Sequence, residues 1–347
     1  MKRFIALSAA VCLLVSLCSC AADGTENKFT KKYFDLFDTV TTVTAYDESR
    51  EAFEEHCAAF YERLGEYHRL YDIYNTYDDV VSLCEVNANA GSGPVAVDER
   101  ITELLLYGKD AYVLSNGLTN ICLGSVLELW HEARLNAEEN PDEAKAPDSK
   151  ELKKAAKHTD INSLIIDEEA NTVMFADAKL KLDVGAIAKG YAAEKVCEWA
   201  QQELWSSAVV SVGGNVVTFG YKNDDGQTPF KIAIENPDES ASDYLTAVDV
   251  TNMSVVSSGD YQRYFETDGT RYCHIINPET LMPGSYMHGV SVICPSSALA
   301  DALSTTLFNM PIKDGLKLVN SMDGVEAVWT DKDYKTVYSD NFKDFEN

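Results

Sequence analysis

From residue 208 to residue 257 the chain strings together short β-type runs with no space for a helix between them. They are Ala208–Val212, Asn215–Phe219, Phe230–Glu235, 246–250 and 253–257. Parallel neighbours need a crossover of roughly a dozen residues or more, whereas antiparallel neighbours need only a tight turn. Gly213-Gly214, between the first two runs, is such a turn signal. The whole series is therefore expected to continue one antiparallel sheet. Further strand-like segments lie at 34–46, which is rich in Val and Thr, and at 289–294, 326–330 and 336–339. Leu164–Asp167, Thr172–Phe175 and 179–182 read as a small antiparallel set of their own. Strands grouped in this way predict an α+β fold, mainly antiparallel sheets packed with helices, and exclude a doubly wound parallel sheet.

Helical periodicity is clearest at 51–71, where Phe53, Cys57, Phe60, Tyr61 and Leu64 share one face. Asp98 is placed to cap a helix that runs to about Ser115 and stops at Asn116-Gly117. Further helices are expected at 126–134, 149–157, 298–309 and 315–321, and an amphipathic one at 187–205. Residues 72–96 and 136–147 read as loops, with one short helix near 80–84.

The chain begins with a segment of a different kind. Lys2 and Arg3 precede an uncharged apolar run from 5 to 17. A bilayer span needs about 20 apolar residues, so this run suits the core of a cleaved signal peptide instead. It ends in Leu17-Cys18-Ser19-Cys20, which resembles a bacterial lipobox. The expectation is a signal peptide over 1–19, a lipidated Cys20, an anchor and tether over 20–32 and a folded domain over 33–347. A multiply acylated cysteine holds a protein on a membrane without any spanning helix. The chain is thus expected to be an extracytoplasmic lipoprotein that meets the membrane through its lipid alone.

Asp and Glu number 56 against 29 Lys and Arg, a formal charge of −27. Such a chain lacks the basic surface that nucleic acid or an anionic bilayer requires. An anionic ligand would need a local device: a divalent cation, a helix start or buried amides. Cysteines 57, 84, 122, 197, 273 and 294 follow the leader with no CxxC pair and no zinc spacing, and read mainly as buried thiols.

Four stretches carry candidate chemistry. In 183–191 a strand-ending Asp183 precedes a Gly-Ala turn and a helix with Lys189 in its first turn. Helix-start amides and a lysine there suit a phosphate. In 300–306, Asp301 and Thr305 lie four apart on one helical face, two hard oxygen donors suited to Mg²⁺. Ser257 to Tyr264 is followed by His274 to Thr280, and Gly213-Gly214-Asn215 allows a ligand to approach the backbone closely.

In this order and spacing the stretches resemble the ApbE family of FAD:protein FMN transferases. The matching residues run from Phe37-Asp38-Thr39 through Tyr77, Asn87, Gly117, Gly124 and Trp130 to the four stretches above, covering about 33–330. The resemblance implies an ApbE-like, T-fold-related architecture. It also implies transfer of FMN from FAD to a Thr or Ser hydroxyl of an exported or membrane redox protein. The acceptor would be a flavoprotein subunit or a lipoprotein of an electron-transfer system. It implies FAD contacts at Phe37, Tyr77, Leu118, Thr119, Asn120, Asp183, Lys189 and Ile275. It implies Mg²⁺ ligands at Asp301, Thr305 and the Ala186 carbonyl, and a base at His274 with Asp301 as the rival. The chain departs from the family pattern at Leu118-Thr119-Asn120, Ser304, Cys273, Asn277 and Leu281. Those departures leave two other readings: an FAD pyrophosphatase, or a flavin-binding lipoprotein without catalysis.

Overall fold

The computed structural model describes residues 27–238 and 240–346. The leader, Cys20 and the start of the tether lie outside the described residues.

The largest element is an eight-stranded antiparallel sheet. Across it run β1 (Lys28–Leu36), β2 (Thr39–Tyr46), β6 (Ala208–Val212), β7 (Asn215–Phe219), β10 (Ser254–Gly259), β13 (Met287–Cys294), β14 (Glu326–Asp331) and β15 (Thr336–Tyr338). Alternate residues of one strand serve opposite faces. Val217, Val256, Val292, Ala327 and Trp329 face the helices, while Val216, Val255, Ile293 and Val328 face the other way. On the helical face lie α1 (Arg50–Tyr71), α3 (Glu99–Leu114), α6 (Ala188–Glu203), α7 (Ser297–Phe308) and α8 (Ile312–Val319). The opposite face is covered over β7, β10, β13 and β14 by a hairpin of β8 (Phe230–Glu235) and β9 (Tyr244–Val250). The short α2 (Leu83–Ala88), the small sheet β3 (Val95–Ala96), β5 (Thr172–Phe175) and β4 (Leu164–Asp167), the helices α4 (Gly124–Glu139) and α5 (Ser149–Ala155), and a hairpin of β11 (Tyr264–Thr267) and β12 (Thr270–Cys273) complete the chain.

The α+β class and the helices hold, but several strand expectations change. The single strand at 34–46 is a hairpin that turns at Phe37-Asp38, both in the left-handed region (φ 54° and 49°). Its first strand begins at Lys28, so the lysine-rich residues 28–32 belong to the sheet and not to the tether. Lysines are what an edge strand carries to discourage pairing with other chains, and that charge makes it read as tether. Residues 179–182 form no strand; a lone bridge joins Lys181 to Leu123, and β3 takes the place beside β5. Phe230–Glu235 and 246–250 leave the main sheet and pack across its face, because Phe230, Ile232, Ile234, Val248 and Val250 supply an apolar face of their own. The β11–β12 hairpin was not expected. Helix α4 continues to Glu139, into a stretch read as loop, and α8 starts earlier, at Ile312.

Helices α6 and α7 pass unusually close. A Cβ on Gly190 would lie 2.4 Å from both Asp301 Cβ and the Ser297 carbonyl, so only glycine fits. Glu194, one turn further on, accepts from the Ser296 hydroxyl (2.6 Å) and the Ala298 amide (3.1 Å), satisfying the start of α7. Cysteines 57, 122, 197, 273 and 294 are buried free thiols, and Cys84 is free and half-buried. No helix among the described residues is long and apolar enough to cross a membrane.

Candidate active site

One cavity of about 1000 Å³ opens where α6, α7, α4 and the ends of the sheet strands converge. Phe37, Leu118, Thr119, Asn120, Asp183, Ala186, Lys189, His274, Ile275, Asp301 and Thr305 all line it, although they come from positions up to 268 residues apart. Tyr77 does not. Its hydroxyl donates to Asp72 Oδ2 (2.7 Å), and Tyr74 lines the cavity in its place.

Asp301 sits at the centre, with 5% of its surface exposed. Its Oδ2 accepts the Gly190 amide of the first turn of α6 (2.7 Å). A helix start expected to hold a phosphate is thus used here to hold a carboxylate, with the favourable end of the helix dipole toward it. Burial nonetheless pushes the Asp301 carboxyl above the ordinary carboxylate range; Lys189 and the amides of Gly190 and Asn215 pull it back. Thr305 follows one turn later on the cavity wall. Ala186, whose side chain offers no donor, also lines the cavity. Asn215 is 2% exposed and borders the cavity, yet its Nδ2 makes no well-formed hydrogen bond.

Asp183 Oδ1 accepts the Gly185 amide (2.9 Å), which shapes the turn into α6. Burial raises its pKa, while that amide, His131, Lys189 and Arg134 act against the rise. Lys189 Nζ donates to the Gly185 carbonyl (3.3 Å). The 118–120 stretch is mostly tied to the scaffold. The Thr119 hydroxyl pairs with that of Thr306 (2.8 Å), and Asn120 bonds the Thr159 carbonyl and Cys122 amide. Ser304, a departure from the family pattern, lies off the cavity and joins the Ser258 hydroxyl (2.8 Å) to α7. Asn277 is likewise structural, bonding the Asn309 carbonyl and the amides of Glu279 and Thr280.

The β11–β12 hairpin positions His274. Its open end places Arg263 beside His274, whose amide donates to the Arg263 carbonyl (3.0 Å). His274 Nδ1 lies 3.2 Å from the same oxygen. A carbonyl only accepts, so Nδ1 carries the proton and Nε2 keeps a lone pair. The crowded cleft walls, then the charges of Arg263, Lys189 and Arg134, hold the imidazole below its ordinary pKa. It is therefore neutral at pH 7 with its ring open to the cleft.

Sequence reading missed three charged or aromatic groups on this wall besides Tyr74. They are His131, Arg134 and Arg263. Arg263 Nη2 donates to the Asp38 carbonyl (3.0 Å), which fixes the β1–β2 turn. Arg134 Nη2 lies 2.9 Å from His131 Nδ1. Leu127, Trp130, His131 and Arg134 recur at helical spacing, so a mixed Trp-His-Arg face of α4 was readable as a wall of something. Arg134 and Arg263, together with Lys189, form the local device that an acidic chain needs for an anionic ligand.

The ApbE family model matches residues 37–329. The chain belongs to the ApbE family. An FAD:protein FMN transferase of Treponema pallidum is 31% identical over 92% of this chain and 89% of that protein. One from Vibrio cholerae is 32% identical over 79% of this chain and 80% of its own length. Among solved structures, an ApbE protein of Thermotoga maritima superposes with a TM-score of 0.80 at 27% identity, covering 92% of this chain and 99% of that one. The apo form of the Pseudomonas stutzeri flavinyl transferase ApbE gives 0.76 at 26% identity, covering 92% and 96%. The ApbE architecture accounts for the sheet and helices described above, and the chain is a transferase of that family.

Proposed function

We propose that this ApbE-family chain transfers FMN from FAD to a Thr or Ser hydroxyl of an exported or membrane-bound redox protein, releasing AMP. It does so at the outer face of the membrane, held there by lipidated Cys20. The observation that carries the reading is that Asp301, Thr305, Ala186 and His274 line one cavity with the cations Lys189, Arg134 and Arg263.

The donor set fits Mg²⁺. One buried carboxylate, one hydroxyl and one carbonyl are hard oxygens that carry a single negative charge, which leaves coordination to be completed by substrate phosphate and water. Among the described residues no three His, Cys, Asp or Glu are grouped so that they could hold a metal ion. When bound, Mg²⁺ neutralises charge on the pyrophosphate and orients it.

His274 Nε2 takes the proton of the acceptor hydroxyl. The acceptor oxygen then forms a bond to the FMN-side phosphorus, and the bond from that phosphorus to the bridging oxygen breaks. AMP leaves with the bridging oxygen. Lys189, Arg134 and Arg263 attract the dianionic nucleotide, which the acidic chain as a whole repels. Asp301 is the weaker base, because its Oδ2 accepts the Gly190 amide and its carboxylate would hold the metal.

Incubation with FAD, Mg²⁺ and a candidate acceptor tests this. Covalent flavin fluorescence on the acceptor in a denaturing gel, with AMP released, is the expected result. Free FMN with AMP would mean an FAD pyrophosphatase, and intact FAD a flavin carrier. Asp301→Ala should fold but transfer no flavin; full Mg²⁺-dependent transfer by this variant would remove Asp301 from the metal site.

A further inference from the structure

The cavity does not stop at Asp301. It bends around the ends of β6, β7 and β10, past Gly214 and Asn215, and continues on the opposite face of the sheet. There its floor is a single row of paired residues. Lys32 faces Thr42 across β1 and β2, Thr42 faces Ser211, and Ser211 faces Val216. All four line the cavity. The β8–β9 hairpin packs mainly over β7, β10, β13 and β14 and reaches Val209 of β6 and Tyr46 of β2, while Lys32, Thr42 and Ser211 remain at the cavity.

The side wall of this lobe is β8. It pairs with β9 on one side and has no strand on its other side among the described residues. Lys231, Ile232, Ala233 and Glu235 line the lobe. A second, smaller cavity runs along the same edge, between Ile232, Ala233 and Glu235 and the residues Gly214, Val216, Ser257 and Gln262. A strand edge beside an open sheet face is the usual seat for an added strand.

Two features at the bend point to a ligand that passes from one lobe to the other. A Cβ built on Gly214 meets nothing within 4 Å, so this turn faces open space. Beside it the Asn215 amide, almost wholly buried, leans on Asp301 without a well-formed bond. Lys32 makes no ion pair among the described residues and lies over the floor. That suits a segment with an acidic side chain at this end.

We propose that the acceptor protein lays an extended segment into this lobe, along the open edge of β8 and over the Lys32–Thr42–Ser211 row, and delivers its hydroxyl around Gly214 to the Asp301 wall. FAD takes the other lobe. This rests on the transferase reading above and adds how the acceptor is held.

The test uses two variants that narrow the floor, Ser211→Trp and Thr42→Trp, with the full chain, FAD, Mg²⁺ and a library of short peptides that each carry one threonine. Neither residue touches the wall that holds Asp301. The expected result is flavin transfer to a subset of peptides by the unaltered chain. Both variants should lose at least about tenfold in kcat/KM for those peptides, with FAD affinity unchanged by flavin fluorescence. Lys32→Glu should shift the preferred peptides away from acidic residues. Unchanged peptide kinetics in a folded variant would overturn the proposal. So would lost FAD affinity, which would assign this lobe to the nucleotide. Transfer to no peptide at all, by a chain that transfers to an intact protein, would mean that an extended segment is not what is read. If the unaltered chain transfers flavin to nothing, the transferase reading fails first. Far-ultraviolet circular dichroism separates an unfolded variant from a blocked one, and either tryptophan variant suffices if the other does not fold.

Discussion

At the residue scale the site depends on two groups held away from their ordinary ionisation. His274 is kept neutral by the cleft and by Arg263, Lys189 and Arg134. A base must be unprotonated to act, so transfer should persist as the pH falls through the ordinary histidine value near 6.5. It should be lost only below that, as His274 finally gains a proton. Arg263→Met removes one of the opposing charges. Its acid limb in kcat/KM should therefore move to higher pH, which a pH–rate series reads directly. Asp301 is displaced the other way. Its raised pKa means the folded chain binds a proton more readily than the unfolded one in the window above the ordinary carboxylate value. Its charge therefore opposes folding at neutral pH when no metal is bound, and the cost grows as pH rises through that window. Asp301→Asn keeps an acceptor for the Gly190 amide and removes the charge. It should raise the metal-free Tm by about 2 °C while abolishing transfer; a lower Tm would show the carboxylate to be favourable as it stands.

At the element scale, the approach of α6 to α7 makes the metal wall possible. Gly190→Ala places a methyl against Asp301 and the Ser297 carbonyl. Overpacking of that kind costs about 1–3 kcal/mol. The midpoint of urea unfolding should fall with the m value unchanged, and Mg²⁺ dependence should weaken because Asp301 loses its amide partner. The β11–β12 hairpin has the same relation to the base, since Arg263 and His274 meet only because the hairpin closes. It was not legible because its strands, Tyr264–Thr267 and Thr270–Cys273, are short and charged, and the half-exposed pattern lacks an apolar alternation. The β1–β2 turn was hidden for a different reason. Left-handed backbone at Phe37 and Asp38 is strained for non-glycine residues, and nothing local marks it. Arg263 holds it from 225 residues away.

For the whole molecule, an acidic body carries a cleft in which Lys189, Arg134 and Arg263 are the local cations. The chain as a whole, at a formal charge of −27, repels FAD, and Lys189, Arg134 and Arg263 at the site attract it. Salt at about 0.1 M shortens the reach of the first to about 10 Å and affects contacts within the cleft less. Added salt up to that level should therefore speed FAD association, measured by stopped-flow flavin fluorescence; a rate that falls from the lowest salt onward would show that the cleft dominates the approach. The sequence by itself determined the α+β class, the helices, and the pairing of Asp301 with Thr305, because each rests on periodicity or spacing within a few residues. It also pointed to Asp183, Lys189 and His274 through motifs that keep their residues adjacent. Only the tertiary structure decided that Tyr74 and not Tyr77 reaches the cavity, that Arg134 and Arg263 share it, and that the α6 start is given to a carboxylate. It alone showed the lobe behind the sheet. Those facts depend on contacts between distant segments, where packing and long-range pairing set which side chain faces which, and local pattern carries no record of them.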